Sequence, residues 1–151
     1  MKLSMTPNIT NKTAASMPWS NIQLAWRVNQ EPELKLSMEM ITKEEVVVVR
    51  CTGRVVYREE AAALFRKVAE VMPQARYVVL EFSQVEMMDG AGLGELLAIL
   101  IRARQNNCVL KLAALQRRVR ELLEITRLAE VFEIYSSEEE AILASHAQAV
   151  S

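Results

Sequence analysis

The chain has 151 residues, 51% of them hydrophobic and 25% charged, which suits one ordinary soluble domain of roughly 100–200 residues with a short tail. Lys and Arg total 18 against 19 Asp and Glu, a net charge of −1, so no global field draws in nucleic acid or an anionic membrane. Aromatic residues make up 5%, too few for a base-stacking platform.

Residues 1 to 32 are rich in Asn, Thr, Ser and Met and poor in charge, and are read as a flexible N-terminal tail. Within it, Ile22, Leu24, Trp26 and Val28 alternate with Gln23, Ala25 and Arg27, the period of a strand. Three readings of 22–28 stay open: an extra strand at a sheet edge, a partner-docking segment, or residues upstream of a true start at Met17 or a later Met. No apolar run follows Lys2, so a signal peptide is not expected.

The regular pattern begins near Leu34. Leu34, Leu36, Met38 and Met40 alternate with polar residues, predicting a half-buried strand. Thr42–Glu45 reads as a turn. Val46 to Cys51 is a continuous apolar run broken only by Arg50, as in a strand covered on both faces. Ala61, Leu64, Phe65, Val68 and Met72 form a helical stripe ended by Pro73. Tyr77 to Phe82 reads as a buried strand and Met87 to Gly92 as a loop. Leu93, Leu96, Leu97, Leu100 and Ile101 form a second stripe, ended by Asn106-Asn107. A strand at Cys108–Leu112, a helix marked by Val119, Leu122, Leu123 and Thr126, and a short strand at Val131–Tyr135 follow. Ser136-Ser137 before Glu138, Glu139 and Glu140 offers a capping box for a last helix. The order β-β-α-β-α-β-α-β-α predicts an α/β fold. It is a mixed, mainly parallel sheet of four to five strands with about four helices and an opening antiparallel hairpin.

Few residues are equipped for catalysis. The single histidine, His146, lies near the chain end, so no Ser-His or Cys-His pair is expected in the core. Cys51 and Cys108 each sit in an apolar run and are read as reduced, buried thiols of a cytoplasmic protein. No metal-ligand spacing occurs, and no cofactor is expected. Glu59-Glu60 and Glu138–Glu140 are read as solvated carboxylates complementing helix dipoles. Arg117, Arg118 and Arg120 read as a solvated face paired with Glu121 and Glu124, or as a contact for an acidic partner. The methionines at 38, 40, 72, 87 and 88 read as core fillers, with Met87 and Met88 open to another role because they lead into a glycine cluster.

That cluster is the unusual feature. Asp89-Gly90-Ala91-Gly92-Leu93-Gly94 holds three of the four glycines, between a buried strand and a helix, where α/β proteins place ligands. Asp89 is a candidate N-cap, and the glycines leave backbone bare for close approach. A dinucleotide fingerprint would need a third glycine where Glu95 stands, and a P-loop would need a Gly-Lys-Ser/Thr ending. Neither is present.

From about Leu34 to Ala144 the chain resembles the STAS domain of anti-sigma factor antagonists. The resemblance lies in VVLEFSQVEMMDGAGLGELLAIL and LKLAALQRRVRELLEITRLAEVFEIYSSEEEAI. It compares with the family's apolar strand, Asp-Ser-Ser-Gly-Leu-Gly segment, and Val-Arg-x-Leu-Leu-x-Ile/Leu-Thr helix ending in a Val-Phe strand. The resemblance implies a STAS domain over 33–147, with 148–151 as a C-terminal tail. It implies a non-enzymatic protein that sequesters an anti-sigma factor, often a serine kinase of the histidine-kinase-like ATPase fold, and that neither binds nucleic acid nor inserts into a membrane. A homodimer is compatible with it. The implied partner-binding residues are Asp89, Gly90, Ala91, Gly92, Leu93 and Gly94, with Arg54 at the rim.

Two departures matter. The family's phosphoacceptor serine corresponds to Ala91 and the serine before it to Gly90, so switching by phosphorylation there is not expected. Where many members carry Gly-Glu-Leu-Asp, this chain has Gly53-Arg54-Val55-Val56, which removes both charges. A STAS accessory subunit of a membrane lipid transporter, or a scaffold member of a larger STAS assembly, is the alternative expectation.

Overall fold

The computed structural model describes residues 35–150, so residues 1–32, with the expected strand at 22–28, lie outside the described residues. Five strands, β1 (Leu36–Lys43), β2 (Val46–Val55), β3 (Tyr77–Met88), β4 (Val109–Ala113) and β5 (Glu133–Tyr135), form one sheet in the order β1-β2-β3-β4-β5. β1 pairs antiparallel with β2 and the other pairs are parallel. The helices are α1 (Tyr57–Val71), α2 (Gly90–Gln105), α3 (Arg117–Ile125) and α4 (Glu138–Val150). Helix α4 thus runs through 148–150 and carries His146 well inside ordered structure.

Both sheet faces are covered. α1, α2 and α3 close one face around Leu64, Phe82, Leu96, Leu112 and Leu123. α4 lays Ala141 and Ile142 on Val46, Val48, Tyr77 and Val79 on the other. That is why Val46 to Val49 are all buried in succession. Along β1, Leu36 and Met38 pack on the first core, but Met40 is 40% exposed. At the sheet's outer edge the helical layer no longer reaches that position, so Met40 is not the core filler its alternation suggested.

Two helix-start carboxylates are not solvated, contrary to expectation. Glu60 is 3% exposed. Its Oε1 accepts the Val56 N–H at 3.2 Å and its Oε2 the Lys35 N–H at 2.6 Å. It therefore caps α1, whose N-cap Val56 has no side-chain acceptor, and fastens the chain leading into β1. Glu60→Ala leaves two backbone donors without this acceptor and is expected to cost about 2–4 kcal/mol, read as a lower urea midpoint at unchanged slope.

Glu138 is 7% exposed and takes a bidentate pair from Arg50, both bonds at 2.8 Å. The hydrogen bond from Arg50 holds its carboxyl below the usual range, against the opposing effect of burial. The capping box of α4 is present in shifted form. Ser137 Oγ accepts the Glu140 N–H at 3.1 Å, and Glu140 Oε1 reaches back to Ser136 Oγ at 2.7 Å. Lys111 is fully buried, with Nζ 2.6 Å from Glu133 Oε1 and 3.2 Å from Tyr135 OH, as a buried cation requires.

Candidate functional site

β3 runs to Met88, much further than the expected Tyr77–Phe82, because its pairing with β2 continues past two register shifts to Val55↔Met88. The expected loop at 87–92 is therefore nearly absent. Asp89 alone separates β3 from α2, and Gly90 to Gly94 form the first turns of the helix.

Asp89 is the N-cap in extended backbone, as expected. Its Oδ1 accepts the Gly92 N–H at 3.0 Å, while Oδ2 accepts the Tyr57 N–H at 3.0 Å. One carboxylate thus ties the start of α2 to the start of α1. Partial burial pushes its pKa up, but the N–H groups of Tyr57, Gly92 and neighbouring backbone outweigh that and hold it below the usual carboxylate value. It remains an anionic acceptor at neutral pH, unsuited to general-acid work.

The three glycines have different settings. A β-carbon on Gly92 would stand 2.3 Å from the Val55 carbonyl oxygen and 2.7 Å from Met88 Cγ, so this glycine allows α2 to sit against the end of β2. β-Carbons on Gly90 and Gly94 would meet nothing within 4 Å among the described residues. Gly90, Ala91 and Gly94 are exposed, whereas Gly92 and Leu93 face the interior. The outward half of the segment is thus a nearly bare strip of helix backbone, with Ala91 on it.

β2 brings Arg54 alongside Met87 in register. The Arg54 guanidinium lies 5.7 Å from the centre of the Tyr57 ring and its Nη2 3.9 Å from Glu60 Oε2. Tyr57 and Met87 are 62% and 41% exposed. Sequence periodicity missed Tyr57, because Val55-Val56-Tyr57 reads as one apolar run. Val55 and Val56 are buried, while the backbone of Tyr57 turns to φ 59° and puts its ring outside.

Other chemistry is poorly supplied. Burial pushes the Cys51 thiol up to about 12 and the Cys108 thiol up to about 11, so both are protonated and inert at neutral pH. His146 Nε2 lies 3.0 Å from Glu44 Oε1 beside the β1–β2 turn. The hydroxyl of Ser83 is tied to both oxygens of Glu81 at 3.0 and 2.9 Å. Arg117 pairs with Glu121 at 2.9 Å across one exposed turn of α3. A polar cleft of about 370 Å³ between β1, β2 and β3 is lined by Glu39, Arg50, Thr52, Glu81 and Ser83 among others. Among the described residues no group of three His, Cys, Asp or Glu side chains could hold a metal, and no helix is long and apolar enough to cross a membrane.

A family model described as the STAS domain matches residues 37–141. Among solved structures, an anti-sigma factor antagonist from Mycobacterium paratuberculosis is 21% identical and superposes with a TM-score of 0.66 over 75% of this chain and 96% of that one. The Bacillus cell fate determinant SpoIIAA in its phosphorylated form is 18% identical, with a TM-score of 0.58 over 72% and 99% of the two chains. A sulfate transporter family protein from Wolinella succinogenes is 14% identical, with a TM-score of 0.64 over 74% and 93%. At such identities the likeness is one of fold; the five-stranded mixed sheet with four helices falls within the four to five strands and about four helices expected from the sequence.

Proposed function

The chain belongs to the STAS-domain family, and from that premise we propose that it is a non-enzymatic regulator, an anti-sigma factor antagonist that sequesters an anti-sigma factor of the serine-kinase type in the cytoplasm. The domain that binds is taken as residues 33–147. The docking surface is the start of α2, with Gly90, Ala91 and Gly94 in contact, Gly92 and Leu93 supporting them from inside, Asp89 holding the turn and Arg54 at the rim. The observation that carries this reading is the strip at Gly90, Ala91 and Gly94. Glycine weakens a helix by about 0.5–1 kcal/mol relative to alanine, and nothing among the described residues requires it at positions 90 or 94. A partner that lays its surface against the bare backbone does.

The reading includes the loss of a switch. SpoIIAA has a phosphorylated form, and the resemblance puts the acceptor at Ala91. Residues 89–94 contain no hydroxyl, and Ser83 is engaged by Glu81. A phosphoryl group, which would add about −1.5 to −2 charge to a packed contact, therefore has no place to attach here. The protein stays in the binding state.

The test is co-elution of the chain and of its Ala91→Ser variant with serine-kinase anti-sigma factors from the same genome, with and without ATP. Position 91 is exposed, so the serine fits. Both proteins are expected to co-elute without ATP, and only the variant to be phosphorylated and released when ATP is added. A bound variant that is never phosphorylated would refute the placement of the acceptor. If no kinase co-elutes, the antagonist reading falls. The likeness to a sulfate transporter family protein then favours the second reading, an accessory subunit of a membrane transporter. A scaffold role would show instead as co-elution with other STAS proteins.

A further inference from the structure

We propose that Arg54 and Tyr57 together select the partner, and that the surface they fit carries a carboxylate beside an apolar pocket. The inference rests on the docking surface proposed above and supplies the chemistry of what binds there.

Tyr57 combines features that folding alone does not explain. Its φ of 59° lies in the left-handed region, where a side chain other than glycine costs about 1–2 kcal/mol. Packing offers little return, because the residue is 62% exposed. The conformation is held by the Tyr57 N–H bond to Asp89 Oδ2, the carboxylate that also caps α2. Strained residues held by their surroundings gather at ligand clamps and switches. Here the result is an aromatic ring displayed beside the bare strip of α2, with exposed Met87 next to Arg54.

Arg54 supplies the sign. Among the described residues its nearest carboxylate oxygen, on Glu60, forms an ion pair at 3.9 Å, beyond hydrogen-bond length, and Nε is buried without a hydrogen-bond partner, so the Nη groups are the ones left to meet a partner. Both oxygens of Glu60 already accept backbone N–H groups, Oε1 that of Val56 and Oε2 that of Lys35. Among the described residues the guanidinium is thus positioned by the Tyr57 ring and by the 3.9 Å ion pair with Glu60, and no carboxylate there hydrogen-bonds it. Its planar guanidinium donates two parallel bonds to a carboxylate. A basic partner would be repelled, and a purely apolar one would bury the cation unpaired. An acidic side chain flanked by an apolar pocket for the tyrosine ring satisfies both residues. Asp89 nearby favours a single carboxylate over a doubly charged phosphate.

The experiment needs no knowledge of the natural partner. A random peptide display library is panned on the full chain, and the enriched peptides are synthesised and titrated calorimetrically into wild type, Tyr57→Gly and Arg54→Glu. Enriched peptides are expected to carry Asp or Glu within two residues of a large apolar residue. Tyr57→Gly is expected to weaken them by about 30-fold or more, as loss of a hot-spot residue does. Its unfolding midpoint should hold or rise, since glycine adopts the left-handed backbone freely, so a loss of fold cannot mimic the effect. Arg54→Glu should abolish binding of the acidic peptides. Peptides without acidic residues, no enrichment at all, or equal affinity for the variants would each overturn the inference. Acidic peptides behaving as expected while no kinase co-elutes would leave it standing and remove the anti-sigma reading. Kinase binding unaffected by both substitutions would do the reverse.

Discussion

Gly92→Ala is expected to destabilise the domain by about 3 kcal/mol, the upper range for overpacking a site whose neighbours cannot yield. One neighbour is backbone, the Val55 carbonyl oxygen at 2.3 Å from the added β-carbon, and the other is Met88 Cγ at 2.7 Å. Relief requires moving the start of α2 away from the end of β2, which would strain the Asp89 bond to the Tyr57 N–H. Gly90→Ala and Gly94→Ala carry the opposite expectation. Their β-carbons meet nothing within 4 Å among the described residues, so each should stabilise by about 0.5–1 kcal/mol through reduced backbone entropy. Each should also weaken partner binding, because the methyl group stands where the partner approaches. Urea unfolding of the three variants separates these effects. A Gly92→Ala protein as stable as Gly94→Ala would mean that α2 does not rest on β2 as described.

Asp89→Ala is expected to cost about 2 kcal/mol, the high end of what a helix N-cap contributes, because its carboxylate serves two helices. The loss should also loosen Tyr57, whose N–H it holds, and so weaken partner binding. The charge adds a pH dependence. The folded carboxyl lies below its ordinary value, so its contribution is fully present above the unfolded pKa of about 4. It is lost as pH falls through the folded value. Glu138, lowered by its hydrogen bond from Arg50, acts in the same direction. Wild type should therefore lose stability below about pH 4, while Asp89→Asn should start lower at pH 7 and fall less on acidification. Urea midpoints at pH 7 and pH 3 measure this. An Asn variant with the wild-type acid slope would show that Asp89 is not among the groups responsible.

Much of this architecture is legible in the residues. Apolar spacing over Ala61–Met72 and Leu93–Ile101 and the valine run at 46–49 suffice for the element order, and the capping preference of aspartate places the start of α2 at Asp89. The boundary of β3 is not legible, since Ser83 to Met88 alternates poorly where the strand takes up two register shifts. The roles of Glu60 and Glu138 are equally hidden. A carboxylate in the first turn of a helix has the same local sequence whether it faces water or a neighbour. Only the return of β1 beside Gly53, where φ is 121° and a β-carbon would stand 2.0 Å from the Lys35 carbonyl oxygen, brings the Lys35 N–H to Glu60. Only the placing of α4 on β2 brings Arg50 to Glu138.

Residue type and spacing along single elements are enough for the fold class, the Asp89 cap, the buried cysteines and the absence of a hydroxyl from residues 89–94. Only tertiary packing sets which glycine is packed and which are bare, which carboxylates are buried, and that Tyr57 stands outside beside an Arg54 that no carboxylate among the described residues hydrogen-bonds. Those properties depend on what another element places a few ångströms away, and no periodicity within one segment records that distance.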